Sequence, residues 1–155
     1  MWTNPWVWLG MGAAVAATGA VVAVVLRSSR RPNFSTAKKL FHLRREWLEA
    51  RFQSLAAKSG KPRGLKWIEC AFDDAVAFAR DRHTGRLRAL VAVTIRFRAI
   101  EGGGMEDNPN VGNLRAATAV FLLDGAEWST DGRAIFNLNP DEAIRHFGEE
   151  LEVVE

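Results

Sequence analysis

No Asp, Glu, Lys or Arg occurs before Arg27, and this restricts the chain more than any other feature of its sequence. Within that stretch, Trp6 to Leu26 reads WVWLGMGAAVAATGAVVAVVL, 21 residues without a charge. A helix of that length, rising about 1.5 Å per residue, measures roughly 30 Å, the thickness of a bilayer's hydrocarbon core. Trp6 and Trp8, with Trp2 before them, stand at one end, where indole rings suit the headgroup layer. Arg27, Arg30 and Arg31 stand at the other. The expectation is a single-pass transmembrane helix over 6–26, acting as a signal anchor. A buried core helix is a poorer reading, because 21 uncharged residues is long for a soluble domain.

A cleaved secretory signal is the main rival. Such signals carry basic residues before a shorter apolar segment. Here Met1 to Pro5 has no basic side chain, and the arginines follow the run. Basic flanks are retained on the cytoplasmic side, so residues 27–155 are expected at the inner face of a plasma membrane. A domain on the outer face, serving an envelope assembly, is the alternative. The single cysteine, Cys70, excludes an internal disulfide framework and is compatible with a reducing compartment. Gly12, Ala16 and Ala20, and likewise Gly19 and Ala23, are four residues apart, a spacing at which membrane helices approach closely. An alanine- and glycine-rich span also produces such spacings by composition, so a homo-oligomer stays an open alternative.

All 39 charged residues fall in the remaining 129, a length that fits one domain. Residues 27–34, RSSRRPNF, form a short basic linker punctuated by Pro32, and 35–155 are read as a single α+β domain. A long helix is predicted from Ser35 or Thr36, either of which suits an N-cap, to about Ser59, with Gly60 past its end. Phe41, Leu48, Phe52 and Leu55 form its apolar stripe, widened by Leu40 and Trp47.

From residue 64 the period changes to two. Leu65 to Phe72 alternates, with Ile68, Cys70 and Phe72 on one side, and Ala75 to Arg80 reads as a second strand. Asp81-Arg82-His83-Thr84-Gly85 is a hairpin turn. Leu87 to Ile100 is the clearest strand, its odd-numbered residues from Ala89 to Ala99 apolar, with Arg88, Thr94, Arg96 and Arg98 opposite. Fourteen residues would run about 45 Å if straight, so this strand is expected to bend around the helix. Leu114 to Leu123 is a further strand ending at an Asp124-Gly125 turn, and Glu127 to Ser129 with Ala134 to Leu138 reads as a hairpin about Asp131-Gly132. Asn139, Pro140 and Glu142 announce a short last helix with a capping box, stopped by Gly148. The acidic tail 149–155 is either an edge strand or disordered.

A long helix followed by a meander of antiparallel strands resembles the cystatin-like and nuclear-transport-factor-like α+β rolls over residues 35–138. The resemblance lies in element order, carries no family motif and transfers no functional residue. It implies a curved sheet embracing the helix, in folds that host enzymes, small-ligand binders and assembly proteins.

The chemistry-bearing residues are sparse. His42, His83 and His146 show no metal-ligand spacing, and no cofactor is implied. Cys70 sits on an apolar strand face, where cysteine packs as a small hydrophobe. Three glycines precede Glu106, Asp107, Asn108 and Asn110, but the segment lacks the lysine or following helix of a phosphate cradle, and Ala117 stands where an EF-hand needs Glu. A mobile hairpin loop is expected there. Residues 27–66 hold twelve Lys or Arg against two acids, and 67–155 hold nine against sixteen. A basic segment beside an anchor suits anionic lipid headgroups, and no nucleic-acid recognition motif accompanies it. The expected protein is therefore a membrane-anchored, non-catalytic accessory or interaction module with lipid and protein partners. Its candidate surface is Arg44, Arg45, Arg96, Arg98, Glu106, Asp107 and Asn108. The alternative is a ligand-binding or enzymatic roll with a pocket between helix and sheet.

Overall fold

The computed structural model describes residues 32–155. The predicted span 6–26 and its flanking Trp6, Trp8, Leu26, Arg27, Arg30 and Arg31 lie outside the described residues. Among the described residues no helix is long and apolar enough to cross a membrane.

Two helices come first, α1 (Phe34–Leu43) and α2 (Arg45–Lys58), where one was expected. The cap of α1 is Asn33, one turn earlier than Thr36, whose amide donates to the Asn33 side chain at 2.8 Å. The break is Arg44, at φ −107° and ψ 7°, in the sparsely populated bridge region. The apolar period runs straight through it. Phe41 and Leu48 are two turns apart and both fully buried, so the sequence pattern holds no sign of the interruption. Trp47, expected on the buried stripe, faces outward with 54% of its surface exposed; the face against the sheet is Ala37, Phe41, Leu48, Phe52 and Ala56.

The strands are β1 (Leu65–Asp81), β2 (Leu87–Ala99), β3 (Arg115–Asp124), β4 (Glu127–Ser129), β5 (Ala134–Phe136) and β6 (Leu151–Val153), with α3 (Pro140–His146) before the last. They form one curved antiparallel sheet in the order β4-β3-β2-β1-β6, with β5 also on β3. The α+β class is therefore as expected, and β2 matches its predicted range to within one residue.

Three local expectations are corrected. The two strands predicted over 65–80 are one, continuous across a bulge between Phe72 and Val76, where β1 carries extra residues opposite Ala92. A second irregularity, between Trp67 and Glu69, resets the alternation, so Trp67 rather than Ile68 joins Cys70 and Phe72 against the core. Finally, β4 and β5 are not paired with each other. Both run antiparallel to β3, β4 along Leu122–Asp124 and β5 along Ala117–Ala119, as two lengths of one interrupted edge. The Asp131-Gly132 signal marks the excursion between them. There the Thr130 hydroxyl donates to the Val120 carbonyl at 3.0 Å, and the Val120 amide donates to the Arg133 carbonyl at 3.1 Å.

Aromatic rings fill the interface between helices and sheet. Phe41 meets Phe121 at 5.4 Å and Trp128 at 5.1 Å between centroids, both edge to face, and Phe52 meets Phe72 at 5.7 Å. The other sheet face has a smaller core, in which Leu90 and Ala79 pack against Ala143 and Ile144 of α3 and against Leu151. The capping box of α3 is present, Asn139 accepting from the Glu142 amide at 2.8 Å and Glu142 accepting from the Asn139 amide at 2.9 Å. The acidic tail takes the strand alternative, pairing Leu151–Val153 with Ala79–Asp81.

Arg88, on the same polar strand face as Arg96 and Arg98, is half-buried in an ion pair with Asp81, which is only 7% exposed. Asp81 Oδ1 also accepts the amides of His83 at 3.0 Å and Thr84 at 2.9 Å, closing the β1–β2 turn. The Thr84 amide is the largest influence holding its carboxyl down to about 2; burial opposes it, and Arg88 and the His83 amide reinforce it. The folded-state pKa lies below the ordinary 3.8, so this stabilisation is present above that value and is lost as pH falls towards 2. Asp81→Asn should cost about 2 kcal/mol at neutral pH. It should also flatten the loss of stability between pH 3.8 and about 2, measured by urea denaturation across that range.

Candidate interaction surface

The seven described candidates fall on three parts of the fold. Arg44 and Arg45 belong to the helix layer, Arg96 and Arg98 to the sheet face turned away from it, and Glu106, Asp107 and Asn108 to the β2–β3 loop.

Arg45 is committed to the fold. Its Nε bonds Glu49 at 2.6 Å, its Nη1 donates to the Asp74 carbonyl at 2.7 Å, and its Nη2 donates to the Asp73 carbonyl. One guanidinium thus ties the first turn of α2 to the β1 bulge, a use of Arg's planar fork that Lys would not reproduce. Arg44 is exposed. With Trp47 and Arg51 it walls a groove of about 670 Å³ whose opposite side is the β3–β4 hairpin, including Asp124 and Glu127. Arg51 lies over the Trp47 ring at 5.6 Å.

On the outer sheet face, Arg96 faces Glu69 at 3.7 Å, and both are well exposed. Only half of this face is covered. At the step where α3 begins, a groove of about 700 Å³ is floored by Ala71, Ala92, Thr94 and Ala116 and walled by Asn137, Asn139 and Glu142. Its polar wall is largely occupied already, since Asn139 and Glu142 cap each other.

The loop 100–114 is a series of tight turns. The amides of its Gly102–Gly104 run are already engaged within the loop. The Gly102 amide donates to the Glu106 carboxylate and the Gly103 amide to the Ile100 carbonyl at 2.8 Å. The carboxyl of Glu106 is lowered by backbone amides, its own first and then those of Gly102, Gly104 and Met105. An internal carboxylate therefore occupies the place an external anion would take. Gly103 packs on Gly64, where an added Cβ would lie 2.6 Å from the Gly103 carbonyl oxygen, so this end of the loop is pinned against the start of β1.

Among the described residues no group of three or more His, Cys, Asp or Glu is placed to hold a metal ion. Cys70 is half-buried against the core, and burial first, then Glu69, pushes its thiol up to about 11. It is protonated at neutral pH and poorly suited to nucleophilic attack.

Sequence reasoning missed the outward side of the helices. Leu43 is 81% exposed and Trp47 54%. The signal was their spacing: Lys39 and Leu43 on α1, and Trp47 and Arg51 on α2, are each four residues apart and fall off the positions of buried Ala37, Phe41, Leu48 and Phe52. Comparison with protein-family models, with curated proteins and with solved structures returns no match to this chain.

Proposed function

We propose that this chain is a single-pass membrane protein whose α+β domain works at the inner face of a plasma membrane as a non-catalytic accessory or interaction module. The observation that carries the reading is the 21-residue uncharged run closed by Arg27, Arg30 and Arg31 and followed at Phe34 by a folded domain. The filled helix–sheet interface supports a binding module over an enzymatic roll. Phe41, Phe52 and Phe121 occupy the space that a substrate pocket between helix and sheet would need. The uncovered half of the sheet, with Arg96 and Arg98 exposed on it and Leu114 58% exposed just before β3, is the surface offered to a protein partner. Helices first and an antiparallel meander after them support the cystatin-like or nuclear-transport-factor-like roll as the fold type.

Topology tests this reading. The full chain should stay with membranes after an alkaline carbonate wash, and a C-terminal reporter active only in the cytoplasm should be active. Full-length protein released by the wash would remove the tether; a reporter active only outside would turn the domain to the opposite face.

A further inference from the structure

We infer that the outward side of the helix layer lies on the anionic leaflet of the membrane, with Leu43 and Trp47 entering the headgroup region and Lys39, Arg44 and Arg51 meeting lipid phosphates. This deepens the reading above and rests on its tether. Three observations carry it.

The first is reach. Seven residues, 27–33, separate Leu26, the end of the uncharged run, from Phe34, the start of α1. Fully extended they span roughly 25 Å, so α1 begins within that distance of the bilayer surface. Lys39 lies in α1 and Arg51 in α2, on either side of the break at Arg44, and at most a dozen residues of chain separate them, so both stay close to the point where the linker enters the domain.

The second is charge. Lys38, Lys39, Arg44, Arg51 and Lys58 are exposed on these helices, and Glu46 is the exposed acid among them. Glu49 is half-buried and already paired with Arg45. Asp124 and Glu127, across the groove from Trp47, bound the basic stripe on the sheet side. They set the limit of the contact, leaving the β3–β4 hairpin in water.

The third is the apolar content of the same side. An 81% exposed leucine at the end of α1 and a half-exposed tryptophan in the first turn of α2 are costly in bulk water and suit the interface, where an indole is half in lipid and half wet. The Arg51 guanidinium lies over the Trp47 ring at 5.6 Å, so a cation for lipid phosphate stands directly beside the indole. Docked this way, the helix layer separates the sheet from the bilayer, and the bare outer face with Arg96 and Arg98 points into the cytoplasm.

The test uses the full chain in nanodiscs, with Cys70→Ala and a spin label carried on Leu43→Cys. A second preparation carries the label on Leu114→Cys, on the opposite side of the fold. In discs containing phosphatidylserine, the label at 43 should collide several-fold less with a water-soluble relaxant than in discs of phosphatidylcholine alone. The label at 114 should stay aqueous in both. Adding Lys39→Glu and Arg51→Glu should return the label at 43 to water in the anionic discs. Chain that is held in discs with position 43 aqueous in both lipids overturns the docking and leaves the tether intact. Equal immersion in both lipids overturns the phosphate contacts. Chain that never enters discs overturns the tether and the docking together.

Discussion

Gly132→Ala should be among the most damaging single-methyl additions in the domain. Gly132 sits in the excursion between β4 and β5 at φ +79°, a region that L side chains rarely adopt. A Cβ there would lie 2.6 Å from the amide nitrogen of Ala56 and 2.9 Å from the carbonyl carbon of Leu55. Those atoms belong to the backbone of α2, which cannot rotate away as a side chain would. The helix must lift from the sheet or the edge must detach from β3. Together with the backbone strain this should cost about 3–4 kcal/mol and lower the thermal midpoint on the order of 10 °C. Gly60→Ala is the control. Its φ is +66°, but nothing lies within 4 Å of the added carbon, so it should cost only the conformational part, about 1 kcal/mol. Thermal melts of the two variants separate the close approach from the dihedral. Equal losses would show that Gly132 is needed for its conformation alone.

Trp128 should be the side chain on this edge whose removal does most harm. It is 2% exposed, packs edge to face on Phe41 and Phe78, and its Nε1 donates to the Ala37 carbonyl in α1 at 2.8 Å. That bond joins residues 91 positions apart, the first helix and a three-residue strand. Trp128→Ala should cost about 3–5 kcal/mol through the cavity left among the rings. Trp128→Phe keeps an aromatic ring and removes the donor, and should cost about 1–2 kcal/mol. Urea denaturation of both variants measures the division. A loss below about 1 kcal/mol for Trp128→Ala would mean that the helix layer is held to the sheet elsewhere.

Gly132 and Trp128 also show where sequence reading reaches its limit. The strands over 87–99 and 115–124 and the capped helix at 140–146 were legible, because local alternation and cap chemistry specify them without reference to the rest of the fold. The pairing of β4 and β5 was not. Asp131-Gly132 between two apolar segments is a sound local hairpin signal, and only the position of β3 decides that both segments pair with it instead. The same holds for Arg45. Nothing near it in sequence says that its guanidinium will reach carbonyls 28 and 29 residues away. For the candidate surface, composition revealed the basic character of the helices but placed Trp47 on the wrong side. An aromatic residue next to an apolar stripe scores as part of it until the buried face is known.

The tie between Arg45 and the bulge of β1 has a consequence for how copies of this domain behave in a crowded cell. Beyond its short pairing with β6, β1 has no strand partner on its outer side among the described residues, from Leu65 to Phe78. An unpaired edge of that length is a template onto which another polypeptide can add, the first step towards chains of misassembled molecules. Here the run is kinked near its middle, and the carbonyls of Asp73 and Asp74 already accept from Arg45. An incoming segment would meet a disrupted ladder at the bulge and carbonyls already taken by a cation, which disfavours continuous pairing along this edge.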